Sequence, residues 1–398
     1  MNGRPGLQQK DKGRQRIGIV GAGIGGLAAA ALLADAGHRV TLVERFAVPR
    51  PVGSGLVVQP VGLAVLDALG AGQAARALGA PLQQMLGHAG RRVVLDVRYR
   101  RGAPGLAMHR ASLFHVLWQA ATARNVELVT GATVTGASGG VLHCDGAADL
   151  GPFDLIVDAS GAGSRLSPLR PRVLPFGAVW ASVPWPKGAR LPQDQLTQRY
   201  ARADRMAGVM PIGRLPDDAT PRAAVFWSLP VAALDRWTSV DFGGWKAEAA
   251  AFWPGMAPFL AGLTAASDMT PARYGHGSLA RPIAPGIAFV GDAAHRASPQ
   301  LGQGANMALL DAMALKLALD GGLDGALPRY AAMRRWHRSL YQGFSALLTP
   351  MYQSHSRALP VLRDFVLAPL GRAPLVRGVL TALVSGDVLP PLAGQRWP

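Results

Sequence analysis

Hydrophobic and polar positions along the chain fall into two regimes. From Arg16 to Val20 the sequence reads RIGIV, a short aliphatic strand, and it runs directly into Gly21-Ala22-Gly23-Ile24-Gly25-Gly26. LAAAALLADAG follows, a helix of small apolar residues, and then a second strand from His38 to Val43 that ends in Glu44-Arg45. This is a strand–helix–strand unit of about thirty residues. Beyond Gly53-Ser54-Gly55-Leu56-Val57-Val58-Gln59-Pro60, the segment VGLAVLDALGAG predicts a helix, and Arg91 to Tyr99 alternates like a half-buried strand. A further helix is predicted from Ala111, with Ser112 as its N-cap, to about Arg124. Stretches 126–134 and 141–144 read as a hairpin-like pair, and 154–158 as a buried strand.

From about 172 to 277 the pattern changes. Prolines and tryptophans become frequent, and short alternating segments such as Ala223 to Leu229 predict antiparallel strands. The earlier regime returns at Gly286 to Val290, followed by a helix from about Gly304 to Asp320. From 325 the chain is helical and basic, with prolines at 350, 360, 369 and 374 predicted to break it. The fold class is therefore α/β: a dinucleotide-binding domain interrupted by an antiparallel-sheet insertion and followed by a helical tail.

Composition narrows the function. With 49% hydrophobic and 16% charged residues, the 398-residue chain forms cores and is not disordered. The net charge of +17 could suggest nucleic acid, but the basic residues are scattered, with no run longer than a pair, so no nucleic-acid partner is expected. Cys144 is the only cysteine, which excludes an intrachain disulfide and any multi-cysteine metal site. The first sixteen residues lack an apolar core, and no stretch offers eighteen uninterrupted apolar residues. The expectation is a cytoplasmic protein, with peripheral contact at the inner membrane through the apolar and basic segment 359–390 left open.

Two segments carry chemistry. In the G-x-G-x-x-G of Gly21, Gly23 and Gly26, the first glycine permits a tight turn, the second a close approach to pyrophosphate, and the third close helix–strand packing. The helix start supplies free N–H groups to phosphate, and Glu44 stands where a carboxylate accepts from ribose hydroxyls. Far along the chain, AFVGDAAHRASPQLGQGANMALLDA (288–312) places Asp292 at the end of a buried strand, with Gly302 and Gly304 turning the chain before Asn306.

Together these segments resemble the flavoprotein monooxygenases of the aromatic-hydroxylase type, including the hydroxylases of ubiquinone biosynthesis. The matching segments are VGAGIGGLAAAALLADAGHRVTLVER (20–45), GSGLVVQPVGLAVLDALG (53–70), HRASLFHVL (109–117) and GDAAHRASPQLGQGANMALLDA (291–312). The end of the chain, LLTPMYQSHSRALPVLRDFVLAPLGRAPLVR (347–377), is also similar to the ends of such hydroxylases. The resemblance implies FAD, with NADH or NADPH as co-substrate. It also implies transfer of one atom of O2, through a flavin C4a-hydroperoxide, to an apolar, aromatic small molecule. It implies an interrupted Rossmann-like FAD-binding domain in three parts (16–80, 105–171 and 278–325), after a disordered arm over 1–15. The substrate domain would take 81–104 and 172–277, and the helical region 326–398. Gly21, Ala22, Gly23, Ile24, Gly25 and Gly26 would hold the pyrophosphate, and Glu44 and Arg45 the adenosine. Gly55 and Arg110 would lie along the cofactor, Val134 against adenine, and Asp292 at the ribityl or pyrophosphate groups. Pro299, Gly302, Gly304, Ala305 and Asn306 would border the isoalloxazine. No side-chain nucleophile is implied.

One segment departs from the family. Where relatives read like DLIVGADGARSR, this chain reads Asp154-Leu155-Ile156-Val157-Asp158-Ala159-Ser160-Gly161-Ala162-Gly163-Ser164-Arg165, with Ser160 at the usual aspartate. That leaves open a flavin-dependent reductase or dehydrogenase acting on prenyl substrates. A halogenase is disfavoured by the absence of a W-x-W-x-I-P segment, and a non-enzymatic basic membrane- or nucleic-acid-binding protein is the remaining class. No metal is expected: His295 has no ligand partners at useful spacing, and His88, His109, His115 and His276 read as surface or core residues. For substrate contacts, the strand positions favour Tyr200 and Trp227.

Overall fold

The computed structural model describes residues 13–50 and 54–395. The arm expected over 1–15 falls mostly outside them, as does Gly53. A six-stranded sheet forms the first layer, in the order Ile283–Ala284, Ile287–Phe289, Leu155–Asp158, Arg16–Val20, Arg39–Glu44, Glu127–Thr130. All its pairings are parallel except that of the Ile283–Ala284 edge. The helix Ile24–Asp35 crosses over between Arg16–Val20 and Arg39–Glu44. Its run Ala28–Ala31 is fully buried, and the small side chains let the helix Gly304–Leu319 pack closely against it. Strand order reverses beside Arg16–Val20, so the crevice at the carboxyl ends of the strands opens there.

An eight-stranded sheet makes the second layer. Its order is His295–Arg296, Thr270–Ser278, Arg172–Pro184, Arg222–Pro230, Arg205–Pro211, Gln195–Ala201, Gln84–Ala89, Arg92–Arg98. One face packs on a tryptophan-rich core with Trp237, Trp245 and Trp253. The other faces a large cavity. Helical segments from the end of the chain, Ala326–Tyr352, Arg363–Leu367 and Pro374–Ser385, lie over that cavity.

Several expectations are corrected. The N-cap of the helix Arg110–Thr122 is His109, whose Nδ1 accepts from Ala111 N at 3.0 Å, while Ser112 is buried and donates to Arg214 O. The stretch 126–134 is not one strand: Glu127–Thr130 joins the parallel sheet, and only Thr133–Ser138 forms the hairpin with Val141–Asp145. Pro350 does not break the chain, because it sits in the last turn of the 27-residue helix Ala326–Tyr352. There its missing N–H removes only one bond near a frayed end.

The layers are tied beneath the crevice by a buried charge network. Asp311, 1% exposed, accepts from Arg334 Nε at 2.7 Å, His295 Nε2 at 2.7 Å and Gly291 N at 3.0 Å. Arg334 also donates to Pro391 O at 2.6 Å, which brings in the end of the described chain. Burial alone would raise the Asp311 carboxyl, but the positive partners His295 and Arg334 hold it well below the usual carboxylate range. Burial, then the charge of Arg334, pushes His337 down to about 3, so it stays neutral. Its Nε2–H donates to Gly386 O. Asp311→Ala would leave the buried guanidinium unpaired, and denaturant titration should show a loss of about 3–5 kcal/mol. Because the folded value of Asp311 is depressed, its contribution is complete above the unfolded value near 4 and is lost as pH falls below it. The unfolding midpoint should therefore drop on acidification below about pH 4, and the Asp311→Ala variant should show a shallower drop.

Candidate active site

A cavity of about 810 Å³ runs from the carboxyl edge of the parallel sheet to the open face of the antiparallel one. At the first end, the three glycines of the fingerprint divide three tasks. Gly21 has φ of +97° and would drive a side chain into Ala159 O, so it makes the turn. Gly23 faces open space, and Gly26 packs so tightly that a Cβ would stand 1.9 Å from Gly21 O. Of the three, only Gly23 lines the cavity, followed by Ile24 and Gly25. Glu44 closes over the same turn: Oε2 accepts from Ala22 N at 2.8 Å and Oε1 from Phe46 N at 3.0 Å.

Two helix starts meet at this end. The helices Ile24–Asp35 and Gly304–Leu319 both begin on the cavity wall. Neither has a side-chain cap or an acidic residue in its first turn. Helix starts usually carry such groups to satisfy free N–H donors, so here two positive dipole ends are left for something else. Arg110 lines the same cavity, with a buried Nε that has no hydrogen-bond partner among the described residues. Burial pushes its pKa down, against the pull of Asp292, which lines the same wall. Gly161 and Gly304 border open space as well. This donor-rich, glycine-lined cradle fits an anionic dinucleotide.

The remaining expected residues divide. Gly55, Pro299, Gly302, Gly304 and Ala305 line the cavity. Asn306 does not. It is fully buried; Oδ1 accepts from Gln59 N at 2.8 Å, and Nδ2 donates to Val57 O at 3.1 Å and Gly302 O at 3.0 Å. It clamps the helix start to the strand Gly55–Val58. Gly302 takes φ of +61° to make the turn before that helix. Glu44, exposed Arg45 and buried Val134 also lie off the cavity wall, beside the parallel sheet. At the atypical segment, Asp158 is fully buried and accepts from the hydroxyls of Ser160 and Ser164 and from Ser160 N. His295 is held by Asp311, and no three of His, Cys, Asp and Glu cluster as metal ligands among the described residues.

At the other end, strand alternation decides what faces the cavity. Leu196, Gln198 and Tyr200 face it from one strand, Met206 and Met210 from the next, and Trp180 and Phe226 beyond them. The Trp180 and Phe226 rings lie 4.5 Å apart, and Gly208 leaves the space that the Phe226 ring occupies. Trp180 Nε1 donates to Tyr274 OH at 2.9 Å. Tyr200 is thus in the cavity, but Trp227 is not. It neighbours Phe226 on one strand, points to the opposite face, and packs edge-on against Trp245 and Phe252. The choice of Trp227 fails on parity, since adjacent strand residues face opposite ways. Sequence reasoning also missed Trp180 and Phe226, whose only signal was a side-chain parity that depends on strand register.

A Rossmann-like sheet, an antiparallel sheet and a donor-rich cavity joining them define a two-layer flavoprotein. Comparison with known proteins makes this specific. The FAD binding domain family matches residues 14–139 and 276–329. The chain is 30% identical over 387 residues to a putative 2-heptyl-3-hydroxy-4(1H)-quinolone synthase of Rhodococcus erythropolis, covering 90% of this chain and 93% of that one. It is 29% identical to the 6-methylpretetramide 4-monooxygenase of Streptomyces rimosus, covering 97% and 96% of the two chains. In fold it is similar to Klebsiella pneumoniae HpxO, solved with FAD and uric acid, at a TM-score of 0.79 and 19% identity over 96% of this chain and 100% of that one. The chain belongs to the FAD-dependent monooxygenases of the aromatic-hydroxylase type. Its cofactor is FAD.

The glycines predict separable effects. Gly26→Ala should fail to fold or lose several kcal/mol, because the clash is with backbone. Gly304→Val places its side chain in open space, so it should keep its thermal midpoint within a few degrees and lose bound flavin. Where Asp292 accepts from the cofactor, as the resemblance implies, Asp292→Ala would remove a charge-assisted bond, and flavin titration should show roughly ten- to a hundred-fold weaker FAD binding. His88→Ala, distant from the cavity wall, should change neither measurement.

Proposed function

We propose that this monooxygenase oxygenates an apolar aromatic small molecule held between the antiparallel sheet and the terminal helices. The carrying observation is the cavity itself: one end offers helix dipoles, glycine backbone and Arg110, and the other is walled by aromatic and aliphatic side chains. In this reading Gly23, Ile24 and Arg110 hold the cofactor's phosphates, and Asp292 accepts from its ribityl or pyrophosphate region. Glu44, Arg45 and Val134 border the adenosine. Bound and reduced by NAD(P)H, FAD supplies the activation of O2 and the delivery of one oxygen atom, the other leaving as water.

The chain's own residues bind, orient and exclude water. The start of Gly304–Leu319 would hold the flavin ring and would stabilise negative charge on it, as a dipole end does for any anion within its first turn. Gly302 and Gly304 allow backbone contact with the ring, and Pro299 borders it. The aromatic floor of Trp180 and Phe226 orients the substrate ring by stacking and keeps water away from the reacting carbon. Residues 16–80, 105–171 and 278–325 would act as the cofactor domain, and 81–104 with 172–277 as the substrate domain.

A second surface concerns how an apolar substrate arrives. Among the described residues no single helix is long and apolar enough to cross a membrane. The helical stretches Ala358–Leu370 and Pro374–Ser385 meet at 111° and expose Leu375 (83%), Val361 (56%) and Phe365 (55%) beside Arg372 and Arg377. An apolar surface next to cations suits shallow contact with an anionic bilayer at the cavity's cover.

The purified protein should be yellow, and NADH or NADPH should bleach it under anaerobic conditions. In air, NAD(P)H oxidation should consume oxygen and accelerate when a bicyclic aromatic compound is added. Bleaching without any oxygen-dependent product would favour the reductase reading. For the membrane surface, protein should sediment with vesicles of anionic lipid at low salt, and no pelleting at any salt refutes that contact.

A further inference from the structure

The cover of the cavity holds one feature that neither flavin binding nor stability explains. The helical run from Ala358 to Leu370 is π-helical over Arg363–Leu367. Such widened turns recur at functional sites because they displace a side chain from its ordinary position. The residue at the start of this one is Arg363, which lines the cavity although it is only 1% exposed. Its Nε donates to Asp364 Oδ1 at 2.6 Å, and Nη1 donates to Met351 O at 3.0 Å. Its Nη2 is buried and has no hydrogen-bond partner among the described residues. The guanidinium stands 5.0 Å from the Tyr200 ring centroid and 5.2 Å from that of Tyr352. Those rings offer π faces to the cation, not lone pairs to the free N–H.

A buried guanidinium N–H without an acceptor costs free energy that a fold built only for stability would avoid. Around it, the charged side chains that also line the cavity are Asp96, which is engaged by Gln84 and Arg98, and the cations Arg372 and Arg377. The inward side chains of the neighbouring strands are Leu196, Gln198, Tyr200, Met206 and Phe226. The Gln198 carbonyl accepts from Tyr200 OH at 3.0 Å and makes no bond to Arg363 Nη2. Asp364 balances the charge of Arg363, which leaves a strong donor rather than a bare cation.

We propose that Arg363 is a specificity-determining residue. Its Nη2 donates to an acceptor oxygen on the substrate's aromatic nucleus (a ring carbonyl, a phenolic oxygen or a carboxylate), between Tyr200 and Tyr352. The rest of the substrate is apolar and lies along the Trp180 and Phe226 floor. This rests on the oxygenation of an aromatic molecule proposed above and names its substrate class: a fused or single aromatic ring bearing one oxygen acceptor and an apolar body.

Three probes of one size separate the contributions: 1-naphthamide with a neutral acceptor, 1-naphthoate with a charged one, and 1-methylnaphthalene with none. Equilibrium dialysis against the flavin-loaded protein needs no turnover, so the result stands apart from whether oxygenation occurs. The wild-type protein should bind 1-naphthamide at least ten-fold more tightly than 1-methylnaphthalene. Arg363→Met should weaken both acceptor probes by about ten-fold or more, the loss of one charge-assisted bond, and leave 1-methylnaphthalene within two-fold. Arg363→Lys keeps the cation without the fork and should recover binding only in part. Flavin content and thermal midpoint are measured on each variant. Equal wild-type affinity for all three probes, or a parallel loss of all three in a folded variant, overturns the proposal. Should Arg363→Met not fold, the wild-type comparison alone decides. A protein that discriminates the probes but neither bleaches with NAD(P)H nor consumes oxygen would refute the monooxygenase reading while leaving the acceptor site standing.

Discussion

Two helices that begin far apart in the chain direct uncapped N-termini at one cavity, and nearly everything else in the molecule holds them there. Each start leaves N–H donors without internal partners, and two such ends side by side repel unless an anion lies between them. The fold keeps them together from behind. Asn306 clamps the second helix to the Gly55–Val58 strand, and Asp311 draws Gly291, His295 and Arg334 together beneath it. The second helix start is thus held at the cavity by buried hydrogen bonds that Asn306 and Asp311 make away from it.

The second layer is governed by parity. Along the strands Arg172–Pro184, Arg205–Pro211 and Arg222–Pro230 one set of side chains faces the cavity and the next set faces a tryptophan core. Phe226 and Trp227 are adjacent, similar in chemistry and opposite in role. The helix Pro374–Ser385 then joins the two layers, through Gln303 Nε2 to Val384 O at 2.7 Å and Thr381 Oγ1 to Arg98 O at 2.8 Å. A change in the cover is therefore felt at both the Gly302–Gly304 turn and the sheet edge.

Local signals made much of this legible. The strand–turn–helix at 16–35 is specified by residues adjacent in sequence, and so is the Gly291-to-Asn306 turn, because glycine conformations and helix starts are set by near neighbours. What escaped was set by distant contacts. The parallel pairing of Gln84–Ala89 with Gln195–Ala201 has no local cue, and without that register no rule says which side of a strand meets the cavity. Asn306 read as a cofactor contact because its buried partners come from residues 57 and 59. Arg363 read as one basic residue among many, since only the packed fold reveals an N–H left without an acceptor.

The three central strands of the parallel sheet, Arg16–Val20, Leu155–Asp158 and Ile287–Phe289, are contributed by widely separated parts of the chain, with strands of the other sheet in between. Neither sheet is finished before the other has been visited. Loop closure on that scale carries a large entropic cost before any contact rewards it, so such topologies fold slowly and all at once. During synthesis, the apolar centre of the first sheet waits, partly unpaired, until the third strand emerges. The interleaving that places a substrate sheet against a cofactor sheet thus also makes the nascent chain a natural client for chaperones.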